Sequence, residues 1–275
     1  MTSTSQLPAA NDTRGDRLTP DVREILAVRQ TDPDHFIAEY TAPSARSLNG
    51  GQTAGQALNA AFSTVPEHLE AHSVHVHFIA AGDPLSPVEY QVHRDRDSRA
   101  FSTRHVTAHQ GDRLIARITA SFHAPEGGHD VQVPTAPKVA APDSCAPVPS
   151  HFAGMDVRVT ERNAGYVYEP RLWAKPLREL GADKRWNACV LVYLSDLHSG
   201  LPTLVPFTDD DFQTSLDHAV WLHRPFLMDD WVLMDHIGAT IADGRSWYRS
   251  EIFDRQGVLV ATCAQEMLLR PARLG

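Results

Sequence analysis

Ser246-Trp247-Tyr248-Arg249-Ser250-Glu251-Ile252-Phe253 is followed by Arg255-Gln256-Gly257 and then by Val258-Leu259-Val260-Ala261. Two β-forming runs around a turn that ends in glycine read as a hairpin. The chain contains this arrangement twice. Phe101, Gln110-Gly111 and Leu114-Ile115-Ala116 match Trp247, Gln256-Gly257 and Leu259-Val260-Ala261, and Phe122 matches Met267. The offset stays near 145 residues, the mark of a duplicated unit.

Working outward, the first copy predicts strands over His72 to Ala80, Val88 to Arg94, Ala100 to His109 and Leu114 to Ala124. Ahead of them Gly50 to Phe62 reads as a helix of small residues, able to press closely on a sheet. Its glycines lack the lysine and spacing of a phosphate loop. Thr19-Pro20-Asp21 reads as a helix start with Thr19 as N-cap, running to Leu26. A turn at residues 31–34 and a strand from His35 to Thr41 follow. In the second copy Trp186 to Leu197 predicts a helix, and Trp231 to Thr240, Ser246 to Phe253 and Val258 to Leu269 predict strands. Between the copies, Pro125 to Pro149 is rich in proline and reads as a linker. The expected architecture is α+β, a double hotdog: two tandem units, each a central helix wrapped by a curled antiparallel sheet. The boundaries expected are a flexible tail at 1–18, a first unit at 19–125, a linker at 126–150 and a second unit at 151–275.

One stretch of the second copy does not repeat. Ser215-Leu216-Asp217-His218-Ala219-Val220-Trp221-Leu222-His223-Arg224-Pro225-Phe226 reads as a single strand in which Ser215, Asp217 and Trp221 share a face. The counterpart at Ser73 to Gly82 has no such pattern. The polar face is therefore not required by the fold, which points to function.

Composition narrows the classes. The chain has 275 residues, 42% hydrophobic and 21% charged, which is a globular balance. No apolar run approaches the ~20 residues of a membrane span, and residues 1–14 lack the apolar segment of a secretory signal. Cys145, Cys189 and Cys263 are odd in number and far apart, so neither a zinc site nor a disulfide framework follows and a reducing cytoplasm is expected. A net charge of −9 argues against a nucleic-acid partner. A small phosphorylated ligand needs only one local basic patch.

Several motifs together resemble the acyl-CoA thioesterase II family: Gly50-Gly51-Gln52-x-x-Gly55-Gln56-Ala57-Leu58, Thr119-Ala120-Ser121-Phe122-His123-Ala124-Pro125-Glu126, Ser195-Asp196-Leu197, Leu216-Asp217-His218-x-x-Trp221-x-His223-Arg224-Pro225-Phe226 and Gln265-Glu266. The resemblance runs from about Leu18 to Arg270. It implies double-hotdog enzymes that hydrolyse acyl-CoA to free acid and CoA. It also implies that an Asp on the second helix, a hydroxyl residue on the next strand and a Gln on the last strand hold the attacking water. By motif these are Asp196, Ser215 and Gln265, with Ser where some members have Thr.

The chemistry fits those residue types. Water attacking a thioester carbonyl needs a base and an orientation. Asp196 alone of the three accepts a proton and holds charge, whereas Ser215 and Gln265 fix the water and the carboxylate by hydrogen bonds. Backbone amides at a helix start suit a developing oxyanion, and Gly50 and Gly51 stand at one. No metal and no other cofactor is required.

Other readings stay open at this level. Asp217 is a rival base, and an acid such as Asp196 is also compatible with a purely structural role. His75 and His77 have i, i+2 spacing but read as a surface pair. Arg99, Arg104, Arg245 and Arg249 flank the two hairpins and are candidates for CoA phosphates. A hotdog hydratase or dehydratase would need a His with an acid beside the thioester, and no His lies on either predicted helix. A non-catalytic acyl-CoA-binding protein is the third reading. Only the second copy has the acid and the amide, because Ala120 stands where Gln265 stands. One site per chain is expected, and a homodimer or higher homo-oligomer is compatible with units that pair.

Overall fold

The computed structural model describes residues 20–42, 47–148, 152–160, 170–197, 199–205 and 212–270. The first half contains α1 (Val22–Leu26), β1 (Arg29–Asp32), β2 (His35–Ala38), α2 (Gly50–Phe62), β3 (Glu70–Phe78), β4 (Val88–Asp97), β5 (Phe101–Gln110) and β6 (Arg113–His123). The second contains β7 (Ala146–Pro147), β8 (Met155–Val159), β9 (Arg171–Pro176), α3 (Lys184–Leu194), β10 (Phe212–Ser215), β11 (Asp217–Leu222), β12 (Val232–Ala242), β13 (Arg245–Asp254) and β14 (Leu259–Arg270).

The fourteen strands form one antiparallel sheet. Its order is β1-β2-β4-β5-β6-β3-β11-β14-β13-β12-β9-β8-β7, with β10 pairing to β14. The order is nearly a palindrome about the β3–β11 contact. Reading outward from it, β6, β5, β4 and β2 answer to β14, β13, β12 and β9. The antiparallel β3–β11 pairing centres on Ala219 opposite His75. The two copies thus share one continuous sheet.

Helices α2 and α3 pack on the sheet and on each other, joined in one apolar core. Their contact is unusually close. A Cβ added to Gly51 would lie 2.3 Å from the Tyr193 carbonyl oxygen, and one added to Gly55 would lie 3.1 Å from that of Cys189. One turn further, Arg185 hydrogen-bonds to Asn59. These steps run antiparallel, so the start of α2 meets the end of α3. Residues 51 and 55 have no Cβ because none fits.

Several expected bounds change. Thr19 lies outside the described residues, and the N-cap of α1 is Asp21, whose side chain accepts from Arg23 N. β1 is fully exposed and polar, so it has no apolar alternation to reveal it. β8 was not expected although its residues alternate in burial. The segment between β6 and β7 has only a 3₁₀ turn at Pro142–Ser144, but it is pinned to the second copy. Gln132 donates to the Gly257 carbonyl at 2.9 Å and accepts from Leu259 N at 2.8 Å, and Arg224 pairs with Asp130 at 2.6 Å.

Two changes bear on the site. α3 ends at Leu194 with Ser195 as C-cap, so Asp196 sits in the turn beyond the helix and not on it. The turn is tightened by Leu197 N donating to Leu194 O at 2.9 Å. The stretch from Ser215 is not one strand either. β10 pairs Ser215 with Met267, whereas β11 pairs Ala219 with Ala264, a register slip of one residue at Leu216. A slip of one reverses which face a side chain takes. Ser215 and Asp217 therefore do not share a face as simple alternation implied.

Candidate active site

The slip at Leu216 is held at both ends by Glu266. Its carbonyl accepts from Leu216 N at 2.9 Å, and its N–H donates to Asp217 Oδ1 at 2.7 Å. Asp217, the rival acid, thus has one carboxylate oxygen tied to main chain at the start of β11.

On the other side of the sheet, the structure brings all five expected residues together. Asp196, at the end of α3, faces the start of α2. Gly51 N–H donates to Asp196 Oδ2 at 2.8 Å. A Cβ at Gly50 would meet the same oxygen at 2.8 Å and the Phe78 ring at 2.8 Å. The carboxylate thus lies at a helix N-terminus, where backbone dipoles favour negative charge. Asn49 caps that helix through its side chain, accepting from Gln52 N at 2.8 Å.

Gln265 reaches up from β14 and is only 1% exposed. Its Nε2 donates to Asp196 Oδ1 at 3.1 Å and to Ser215 Oγ at 2.6 Å. The amide is therefore the hub that joins acid and hydroxyl. Asp196, Ser215 and Gly50 are all partly exposed, so the polar cluster opens to solvent above while Gln265 closes it below. The clefts that the linker forms with the sheet, along residues 126–142, hold none of these residues.

Beneath the cluster lies a buried polar layer that sequence reading missed. His218 is 1% exposed, and its Nε2 lies 2.7 Å from Ser195 Oγ. Burial pushes its pKa below the ordinary histidine value, against the opposing pull of Asp196, the Gln265 side chain and Asp217. His236 is equally buried, joined to Ser250, and burial takes its pKa down to about 3. Cys263, whose Sγ is 3.8 Å from the Ser195 carbonyl, has its pKa raised by burial to about 12. A thiol held neutral in this way is no nucleophile. His218 was legible only as a letter in a motif. Its position on the inward face follows from the slip at Leu216.

The equivalent place in the first copy is filled differently. Thr64 lies just past the end of α2 as Asp196 lies past the end of α3. Ala120 pairs with Arg104, and Gln265 pairs with Tyr248. The Arg104 side chain is fully buried and donates to Thr64 Oγ1 and Thr64 O, each at 2.8 Å, and to Asp97 at 2.6 Å. Arg104 is thus unavailable to a CoA phosphate. Arg245 and Arg249 pair with Glu266 and Glu251.

Comparisons with known proteins point the same way. Residues 37–123 match the model of the acyl-CoA thioesterase N-terminal domain, and residues 120–269 match that of the C-terminal domain. Acyl-CoA thioesterase 2 of Haemophilus influenzae is 32% identical, with 90% of this chain and 96% of that protein covered. An acyl-CoA thioesterase II of Mycobacterium marinum superposes with a TM-score of 0.78 at 30% identity, covering 92% of this chain and 98% of that one. A hot dog fold protein of Alicyclobacillus acidocaldarius, 19% identical, superposes with a TM-score of 0.73 over 90% and 97%; that likeness is of fold alone.

Proposed function

The chain belongs to the acyl-CoA thioesterase family and hydrolyses acyl-CoA thioesters, and from that premise we propose that Asp196, Ser215 and Gln265 carry the reaction. Asp196 is the general base. It takes a proton from a water that Ser215 Oγ holds in line with the thioester carbonyl, while the two Gln265 Nε2 protons fix Asp196 and Ser215 around that water. The water oxygen bonds to the carbonyl carbon, the C–S bond breaks, and CoA leaves as thiolate or thiol. At the start of α2 the Gly50 N–H supplies a donor for the oxyanion, whereas the Gly51 N–H, expected in the same role, is taken by Asp196 Oδ2 and steadies the base. The single observation that carries this reading is the Gln265 amide bridging Asp196 and Ser215 at 3.1 and 2.6 Å.

Two tandem hotdog units, 19–125 and 151–275, joined by the 126–150 linker, are the architecture this reading rests on, and the palindromic strand order supports it. Residues 1–18 lie outside the described residues. The second unit carries the one site, and Arg104 fills its counterpart in the first. Three free, buried cysteines support a reducing compartment such as the cytoplasm. Trp221 and Trp247, 36% and 39% exposed, offer apolar area for self-association into a homodimer or higher homo-oligomer, which light scattering measures.

Thiol release from saturated acyl-CoAs of short to long chain tests the reaction. Asp196→Asn should stay folded and lose about 10²- to 10⁴-fold in kcat. A folded Asp196→Asn enzyme with wild-type kcat removes the acid from the mechanism.

A further inference from the structure

The amide of Gln265 is held at one end only. Its Nε2 has two acceptors, but its Oε1 is buried with no hydrogen-bond partner among the described residues. His218 Nδ1 is buried and unpartnered in the same way. Continuing the Ala219–Ala264 register by one residue places His218 directly opposite Gln265. Both side chains point inward and both are 1% exposed. Side chains directly opposite in an antiparallel pair lie within reach of each other.

We propose that His218 is a positioning residue for the hydrolysis, its Nδ1–H serving Gln265 Oε1 so that the amide stays locked with Nε2 on Asp196 and Ser215. This rests on the reading of Gln265 given above. The other end of the imidazole is tied to the same frame, because Nε2 meets Ser195 Oγ at 2.7 Å and Ser195 precedes the base. One ring thus links the turn that carries Asp196 to the strand that carries Gln265.

The proton count selects one tautomer. Ser195 Oγ lies 2.7 Å from His218 Nε2 and 2.9 Å from Val192 O, and it has one proton to give. If it gives that proton to Val192, then Nε2 must donate and Nδ1 becomes an acceptor facing the Oε1 lone pairs. Two buried acceptors would then oppose each other, which is costly. If Ser195 donates to Nε2, then Nδ1 carries the proton and Oε1 is served. Burial keeps the ring neutral, which agrees with that arrangement.

Two variants separate positioning from bulk structure. In His218→Phe the ring shape remains and both hydrogen bonds go. In His218→Asn the side-chain N–H falls where Nδ1–H stood. The Phe variant is expected to lose about tenfold or more in kcat, with KM within about twofold, and Asn to restore most of the loss. Equal rates for the two variants, or wild-type kcat in His218→Phe, overturn the proposal. In a Gln265→Ala background, His218→Phe should cost nothing further. A loss there as large as in the wild-type background shows that His218 does not act through Gln265 and also overturns it. Gln265→Ala with full kcat would instead count against the site reading itself, so the two failures are distinct. Should His218→Phe not fold, two-bond ¹H–¹⁵N correlation spectra of the ¹⁵N-histidine-labelled wild-type enzyme decide the question. A protonated Nδ1 and bare Nε2 at residue 218, assigned through His218→Asn, are expected, and the reverse pattern overturns the proposal.

Discussion

Gly51→Ala would put a methyl carbon 2.3 Å from the Tyr193 carbonyl oxygen and 3.1 Å from Asp196 Cβ. Ordinary contact begins at 3.4 Å, and the tightest neighbour is helix main chain, so α2 and α3 must part by about 1 Å. Overpacking of this kind costs about 1–3 kcal/mol. Removing a helical glycine returns about 0.5–1 kcal/mol. A net loss of about 1–2 kcal/mol lowers Tm by roughly 2–8 °C in a chain of this size. The same displacement stretches the 2.8 Å bond from Gly51 N to Asp196 Oδ2, and misplacing a catalytic group by ~1 Å costs about 10²-fold in rate. Gly50→Ala is the comparison. Its Cβ meets Asp196 Oδ2 and the Phe78 ring, both at 2.8 Å. Those are side-chain atoms that can swing aside, so stability should hardly fall while kcat still drops. Thermal unfolding followed by circular dichroism, with thiol release at saturating acyl-CoA, reads both quantities. The expected pattern is loss of rate in both variants and loss of Tm in Gly51→Ala alone. A Gly51→Ala enzyme with wild-type Tm and kcat would refute the idea that helix contact holds the carboxylate in place.

Three further outcomes follow from the same geometry. Asp217→Asn keeps an oxygen for Glu266 N–H and should leave kcat within about threefold of wild type, since truncation and not isosteric replacement breaks that bond; a loss equal to that of Asp196→Asn in the same thiol assay would make Asp217 the base. His236 is neutral in the folded protein down to about pH 3, whereas in the unfolded chain it titrates near 6.5. Between those values the unfolded state binds a proton that the folded state refuses, so this contribution is complete above about 6.5 and is lost as pH falls, at about 1.4 kcal/mol per pH unit. Urea midpoints from pH 7 to 4.5 should show that slope, and His236→Leu should reduce it by that amount. Arg104→Met removes a buried cation that serves Thr64 and Asp97. Because Asp97 is half-exposed and can return to water, the cost should stay near 1–3 kcal/mol, set by the Thr64 acceptors left without donors. An unchanged urea midpoint would show that those acceptors find other partners.

The sequence by itself determined the class of fold, and it named the residues that we propose carry the reaction. Hairpin turns at Gln110-Gly111 and Gln256-Gly257 are local signals, and their repetition set two similar units. The small residues of α2 announced a close approach, but the sequence pointed it at the sheet, whereas Gly51 and Gly55 meet the main chain of α3. Asp196, Ser215 and Gln265 were legible through motifs, as residue types suited to water activation. Other features left no local trace. β1 is polar and exposed, so period two had nothing to act on. Asp196 lies beyond α3 because the chain tightens after Ser195, while Leu197 resumes the apolar character of the run and hides that end in the sequence. The slip at Leu216 turned Ser215, Asp217 and His218 onto faces that simple alternation assigned wrongly. Only the tertiary structure decided that Gln265 bridges Asp196 and Ser215, that Asp217 has one oxygen tied to the main chain of Glu266, and that His218 stands beneath the amide. Those relations join residues 47 (His218 and Gln265) to 69 (Asp196 and Gln265) positions apart, or 145 for Gly51 and Asp196. Contacts between segments so distant in sequence depend on register and helix crossing, which are properties of the packed whole.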